Sequence, residues 1–200
     1  MITDVKGVDP RVRRTRQLLQ QALMELSHEK NFASITVQDI AERATVNRAT
    51  FYAHFEDKYE LLDSIIREKF QKEVASKLPT ASRGEVNDLH ELIGAVFDFI
   101  GVVHSRCKPT DTQFEPLFER PVQQELSELL VSWLKQVPAS GAGRRVPIET
   151  IALVMSWAMF GAAVQWNRGA RTPTKEEIVD QVLIVLTEGV AHLIPGLLLE

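Results

Sequence analysis

Apolar residues recur along the chain at spacings of three and four, and strict alternation persists nowhere, so the pattern predicts helices and no strands. Asp9 and Pro10 open a first helix, as N-cap and first helical residue, and Leu18, Leu19, Ala22, Leu23 and Leu26 form one face of it until it ends near Glu29. Thr36 caps a second helix, with Asp39 in the third helical position and Ile40, Ala41 and Ala44 inward. Asn47 caps a short third helix that runs to about His54. Asp57 caps a fourth, with Glu60 completing its capping box, and the stripe Leu61, Leu62, Ile65, Ile66, Phe70 and Val74 carries it to Leu78, before Pro79.

The later helices are expected to be longer, with greasier faces. A fifth helix is expected from Glu85 to Arg106, then a loop to Gln113, a short helix over Phe114 to Phe118, and a further helix that Pro121 starts and that reaches Val137. Pro138 to Val146 reads as a flexible linker. Pro147 opens a strongly apolar helix to about Arg168, and Thr172 with Pro173 opens the last, which ends at Pro195. The expected fold is all-α, with about nine helices. Residues 1–60 are expected to form a three-helix unit that continues into a long fourth helix to about 78, and residues 61–200 a second helical domain.

Net charge is −4, so total charge does not point to a nucleic-acid partner, yet Arg11, Arg13, Arg14 and Arg16 crowd the N-terminus. The single cysteine, Cys107, permits no internal disulfide, suits a reducing compartment and reads as a small packing residue. The first residues lack the apolar core of a signal peptide. The longest apolar stretch, Ile151 to Val164, is interrupted by Ser156 and Gly161 and falls short of the roughly 18 residues of a membrane span. A cytoplasmic protein with no membrane partner is expected. Neither metal-ligand spacing, a phosphate-binding glycine loop nor a nucleophile elbow is present, and the histidines (His28, His54, His90, His104, His192) are scattered, so no catalytic site, metal or cofactor is expected.

The chemistry concentrates where two short helices meet. Only Thr45 and Val46 separate Ala44 from the Asn47 cap, which is the geometry of a helix-turn-helix whose second helix enters the major groove. Ala41 allows close backbone approach, and Ile40, Val46, Phe51 and Phe55 would form the small core that sets the crossing. The outward face of the third helix, Arg48, Ala49, Thr50, Tyr52 and His54, carries no acid. Arg48 lies in the first turn, where its fork matches guanine O6 and N7. Tyr52 and His54 reach far enough for phosphate oxygens, and Lys58 adds a cation beside them.

The stretch from Ile35 to Leu62, with Ile40-Ala41, Ala44, Val46, Thr50-Phe51-Tyr52, His54-Phe55 and Lys58 ahead of Leu61, resembles the TetR/AcrR family of transcriptional regulators, and matches run from about Arg11 to Phe70. Thr45 departs from the glycine that this family often has in the turn, where a positive φ would strain a β-branched residue. The resemblance implies that Arg48 and Ala49 face bases and that Thr36, Asn47, Thr50, Tyr52, His54 and Lys58 hold phosphates. It further implies that Gln38 reaches a base or phosphate, and that Arg11, Arg13 and Arg14 approach the backbone or minor groove.

For the larger half the resemblance implies ligand sensing and dimerisation. Ile148 to Trp166 is apolar nearly all round, and Ile178, Val182, Leu183, Val185, Leu186, Val190 and Leu193 load the last helix similarly, so these two helices are expected to pair with a second copy as a four-helix bundle. Phe97, Ile100, His104, Phe114, Phe118, Trp133, Trp157, Phe160 and Gln165 are the candidate lining of a pocket for a small apolar or aromatic effector. The expected function is sequence-specific repression: a dimer on a palindromic operator of double-stranded DNA, released by the effector. The alternative is a DNA-binding dimer governed by a protein partner, with no small ligand.

Overall fold

The computed structural model describes residues 9–78, 85–106, 115–136 and 146–191. Cys107, the candidate pocket residue Phe114, the expected loop at 107–113, nearly all of the expected linker at 138–146 and the end of the last helix lie outside the described residues.

The described residues form eight α-helices, α1 (Pro10–Glu29), α2 (Val37–Arg43), α3 (Arg48–Tyr52), α4 (Lys58–Lys77), α5 (Val86–Arg106), α6 (Glu115–Gln136), α7 (Ile148–Arg168) and α8 (Lys175–Ala191), with a 3-10 turn, Phe32–Ser34, between α1 and α2. The chain divides into two compact units, Met1–Ile66 and Arg67–Glu200, and the division falls inside α4.

In the first unit the helix starts follow from side-chain caps. Asp9 accepts from the Arg11 N–H ahead of Pro10. Thr36 and Asp39 form a reciprocal capping box on α2, and Asn47 caps α3 by accepting the Thr50 N–H at 2.7 Å. Asp57 accepts the N–H groups of Tyr59 and Glu60, but Glu60 turns its carboxylate to the Glu56 N–H instead of closing a box with Asp57. The core is small: Leu19, Leu23, Ile35, Ile40, Phe51, Phe55 and Leu61 are buried, with Ala41 buried on α2, while Val46 is only half-buried.

In the second unit α7 packs against α5, α6 and α8. Its 21 residues are long and apolar enough to cross a membrane, because the mean hydropathy tolerates Ser156 and Gly161 where a rule of uninterrupted residues does not. Packing accounts for its character instead, since Ile151, Ala152, Met155, Met159, Phe160 and Ala163 are buried among the neighbouring helices. Two expectations fail here. The short helix before Pro121 and the helix after it are one helix, α6, with Pro121 inside it. Proline removes one backbone donor there, yet Pro121, Val122, Leu126, Leu130, Trp133 and Leu134 make one continuous buried face that holds the helix through the defect. The last helix starts at Thr174, not at Thr172 and Pro173: the Thr174 hydroxyl accepts the Glu177 N–H, and the Glu177 carboxylate accepts from the Thr174 N–H and hydroxyl.

Candidate nucleic-acid interface

α2 and α3 are joined by a turn in which Thr45 has φ 58, the positive value the sequence predicted for a position where relatives often carry glycine. The Val46 N–H returns to the Ala41 carbonyl at 2.9 Å and the Thr45 N–H to that of Glu42, closing the turn. α3 has five residues, and its only buried side chain is Phe51. Arg48, Ala49 and Tyr52 are exposed, and Thr50 and His54 are half-buried. The Arg48 guanidinium lies over the Tyr52 ring, with Nη2 3.4 Å from the phenol oxygen, so the two side chains stand together on the outer face.

Several candidate residues are already engaged within the protein. The Thr36 hydroxyl donates to Asp39, the Thr50 hydroxyl donates to the Asn47 oxygen, and the Gln38 amide donates to Glu42. The Asn47 oxygen is thus occupied as the cap. The Asp39 carboxylate is held well below the ordinary aspartate range, first by the Lys30 ammonium and then by the N–H and hydroxyl of Thr36.

The cations of this unit sort into two sets. Arg11, Arg13, Arg14 and Arg48 are exposed. Arg43 pairs bidentately with Glu29, and Lys30 pairs with Asp39. Lys58, expected to hold a phosphate, is engaged within the protein. Its ammonium donates to the carbonyls of Phe32, Ala33 and Ile35 at 2.9, 3.0 and 2.7 Å, which uses all three of its N–H groups and leaves none for a phosphate. Desolvation pulls its pKa below the ordinary lysine value, against the opposing charges of Asp39 and Asp57. Arg16, at the edge of the N-terminal basic cluster, also turns inward: Nη1 donates to the His54 carbonyl at 3.0 Å and the guanidinium lies 4.2 Å from the Phe55 ring centroid.

The residues expected to line an effector pocket differ in exposure. Phe97, Ile100, Trp133 and Phe160 are buried, and Phe118 is half-buried, but His104 and Gln165 are exposed and Trp157 is 46% exposed. α7 is apolar on more sides than its neighbours can cover. Sequence reasoning missed two polar groups inside the unit: Gln123 Oε1 on α6 and Asn167 Oδ1 on α7 are buried with no hydrogen-bond partner. Gln123 donates from its nitrogen to the Ser156 carbonyl, and Asn167 to that of Ala163. Their signal was present as polar residues on apolar faces, Ser156 and Asn167 being three helical turns apart on α7.

Comparison with known proteins agrees with this geometry. Residues 19–65 match the family model for bacterial regulatory proteins of the tetR family. The HTH-type transcriptional regulator YxbF of Bacillus subtilis is 44% identical over 63 residues, a match covering 31% of this chain and only 17% of that protein. The HTH-type transcriptional repressor DhaR of a Mycobacterium species is 27% identical over 188 residues, 86% of this chain and 90% of the relative. Among solved structures, the TetR-family repressor FadR of Thermus thermophilus, crystallised with lauroyl-CoA, superposes with a TM-score of 0.58 at 21% identity, covering 87% of this chain and 94% of that one. Residues 19–65 thus match the helix-turn-helix of the tetR family, and the described helices share the fold of a solved TetR-family repressor.

Proposed function

We propose that the protein is a dimeric repressor that binds a palindromic operator and leaves it when a small apolar effector enters the second unit. The observation that carries the DNA half is the acid-free outer face of α3, fastened by Asn47 and presenting Arg48 beside Tyr52. Arg48 and Ala49 read bases. Asn47, Thr50, Tyr52 and His54 hold phosphates, while Thr36 and Gln38 border them at the start of α2. Arg11, Arg13 and Arg14 approach the backbone or the minor groove. Repression is the activity named for the curated relative DhaR.

Dimerisation is supported by an apolar face of α7 and α8 that the protomer leaves uncovered: Leu153, Val154 (60% exposed) and Trp157 on α7, with Ile184 and Val185 (70% exposed) on α8. A second copy covering this face gives a four-helix bundle. Two α3 helices about 34–36 Å apart then meet successive major grooves. An effector that prefers another spacing lowers DNA affinity by the difference in its affinity for the two states, and α4, with residues in both units, is the element through which that preference would pass. Apolar walls around Phe97, Ile100 and Phe160, with Gln123 and Asn167 as unpartnered acceptors, suit a ligand that is mostly hydrocarbon and carries a donor. The lauroyl-CoA complex of the Thermus protein, of the same fold, sets the acyl chain as the first class to try. Action on DNA places the protein in the cytoplasm.

Selection of binding sites from random DNA by the purified protein, repeated with Arg48→Ala, tests this reading. The expected result is an enriched palindrome that the substitution weakens and relaxes at one position per half-site. No enrichment at low salt from an intact dimer would overturn it.

A further inference from the structure

The carbonyl groups that end a short helical turn have no partner within it and must find donors elsewhere. Two such places border the helix-turn-helix. Ahead of α2, the 3-10 turn Phe32–Ser34 and the residue after it direct the carbonyls of Phe32, Ala33 and Ile35 to one point, and the Lys58 ammonium occupies that point. Beyond α3, the His54 carbonyl receives the Arg16 guanidinium, which reaches it from α1 across 38 positions of sequence. Each cation also lies against an aromatic ring of the segment it holds, Lys58 4.8 Å from the Phe32 centroid and Arg16 4.2 Å from that of Phe55. One clamp therefore grips the chain as it enters α2 and the other as it leaves α3. Between them lie α2, of seven residues and tied to α1 by Arg43–Glu29 and Lys30–Asp39, and α3, of five, capped by Asn47.

We propose that Arg16 and Lys58 are positioning residues that set the pose of the recognition helix through backbone carbonyls, and are not phosphate ligands. The inference rests on the DNA-binding reading of α3. In an Arg-rich N-terminus and a lysine beside the DNA face, charge alone would assign both to phosphate, whereas the geometry turns both inward. The consequence is a separation of two effects that charge would merge. A phosphate ligand contributes to the salt dependence of binding to every sequence, at about 0.9 in the slope of log K against log salt for each phosphate neutralised. A positioning residue contributes to the affinity for the operator over other sequences and leaves the slope unchanged.

The test uses full-length protein, its selected operator duplex and an unrelated duplex, each fluorescently labelled, titrated at several salt concentrations for wild type, Arg16→Met, Arg16→Lys and Lys58→Met. The expected result is a loss of roughly tenfold or more in operator affinity for Arg16→Met and Lys58→Met, with unrelated-duplex affinity and salt slope close to wild type, measured below the melting temperature of each variant. Arg16→Lys keeps the charge but loses the fork, so it should keep the slope and still lose operator affinity. A slope lower by about one in either methionine variant would make that residue a phosphate ligand and overturn the proposal. Unchanged operator preference in folded variants would also overturn it, leaving only a stabilising role. Should Lys58→Met fail to fold, Arg16→Lys decides the matter: unaltered operator affinity there defeats the proposal. Failure of the wild type to prefer any operator would instead defeat the DNA-binding reading.

Discussion

α3 is five residues long and is fastened by side chains at both of its ends, whereas α7 is 21 residues long and begins without any side-chain cap. An isolated helix of fewer than about 12–15 residues is marginal in water, so α3 exists because Asn47, Phe51 and the segment after it hold it. α7 exists because its buried face is large. The first unit thus depends on a few specific polar contacts around a small core, and the second on apolar area. The difference matches the tasks: a DNA-facing helix must leave its side chains outward, and so has few with which to anchor itself.

The sharpest way to break the comparison is Phe51→Ala. Phe51 is the sole buried side chain of α3, and loss of a buried Phe costs about 3–5 kcal/mol, comparable with the whole stability of a small unit. Hydrogen exchange should show α2 and α3 losing protection while α5 to α7 keep theirs, and operator binding should vanish; equal loss throughout would mean the two units do not differ in this way. Next in size is the pair Val154→Asp and Val185→Asp. Each buries an unpaired carboxylate in the proposed bundle at about 3 kcal/mol or more, at least about a hundredfold in dissociation constant, so sedimentation should report monomers. A dimer that survives would place the interface elsewhere.

Caps provide a matched contrast at smaller scale. Asn47→Ala and Thr174→Ala each remove one N-cap, worth about 1 kcal/mol. Both should lower the melting temperature by a few degrees, but only Asn47→Ala should lower operator affinity, because α8 has 17 residues and no DNA face. Equal effects on DNA binding would remove the distinction. Smallest is Thr45→Gly. Relief of a left-handed β-branched residue, about 1–3 kcal/mol, opposes the added freedom of glycine, about 0.5–1 kcal/mol. The melting temperature should hold or rise slightly, with operator binding intact; a clear fall would show that the turn does not strain Thr45.

What was legible in the sequence was local. Asp9, Thr36, Asn47 and Asp57 act within three residues of themselves, and the positive φ at Thr45 follows from a turn of fixed length, so neighbouring residues suffice to place them. Pro121 misled because a local rule about proline yielded to the buried face of α6 on both sides of it. Arg16 and Lys58 were beyond reach for the opposite reason, since their partners lie 38 and about 25 residues away and are backbone atoms that no side-chain pattern reveals. Burial was least legible on α7, where an apolar residue can face the core or a partner with the same hydropathy: Trp157 and Phe160, three positions apart, went to different sides.

The brevity of α3 also limits how much a genome can tell this protein. Five residues rise about 7.5 Å along the helix, and base pairs are stacked about 3.4 Å apart, so α3 spans little more than two steps of the duplex. Such a reader collects only a few bits from each half-site, too few to single out one address among the roughly million or more competing positions of a chromosome. The remaining information must come from two half-sites counted together at a fixed spacing and from the stiffness and groove width of the bases that no side chain touches. Operators of this protein should therefore look loosely alike in their letters and closely alike in their spacing.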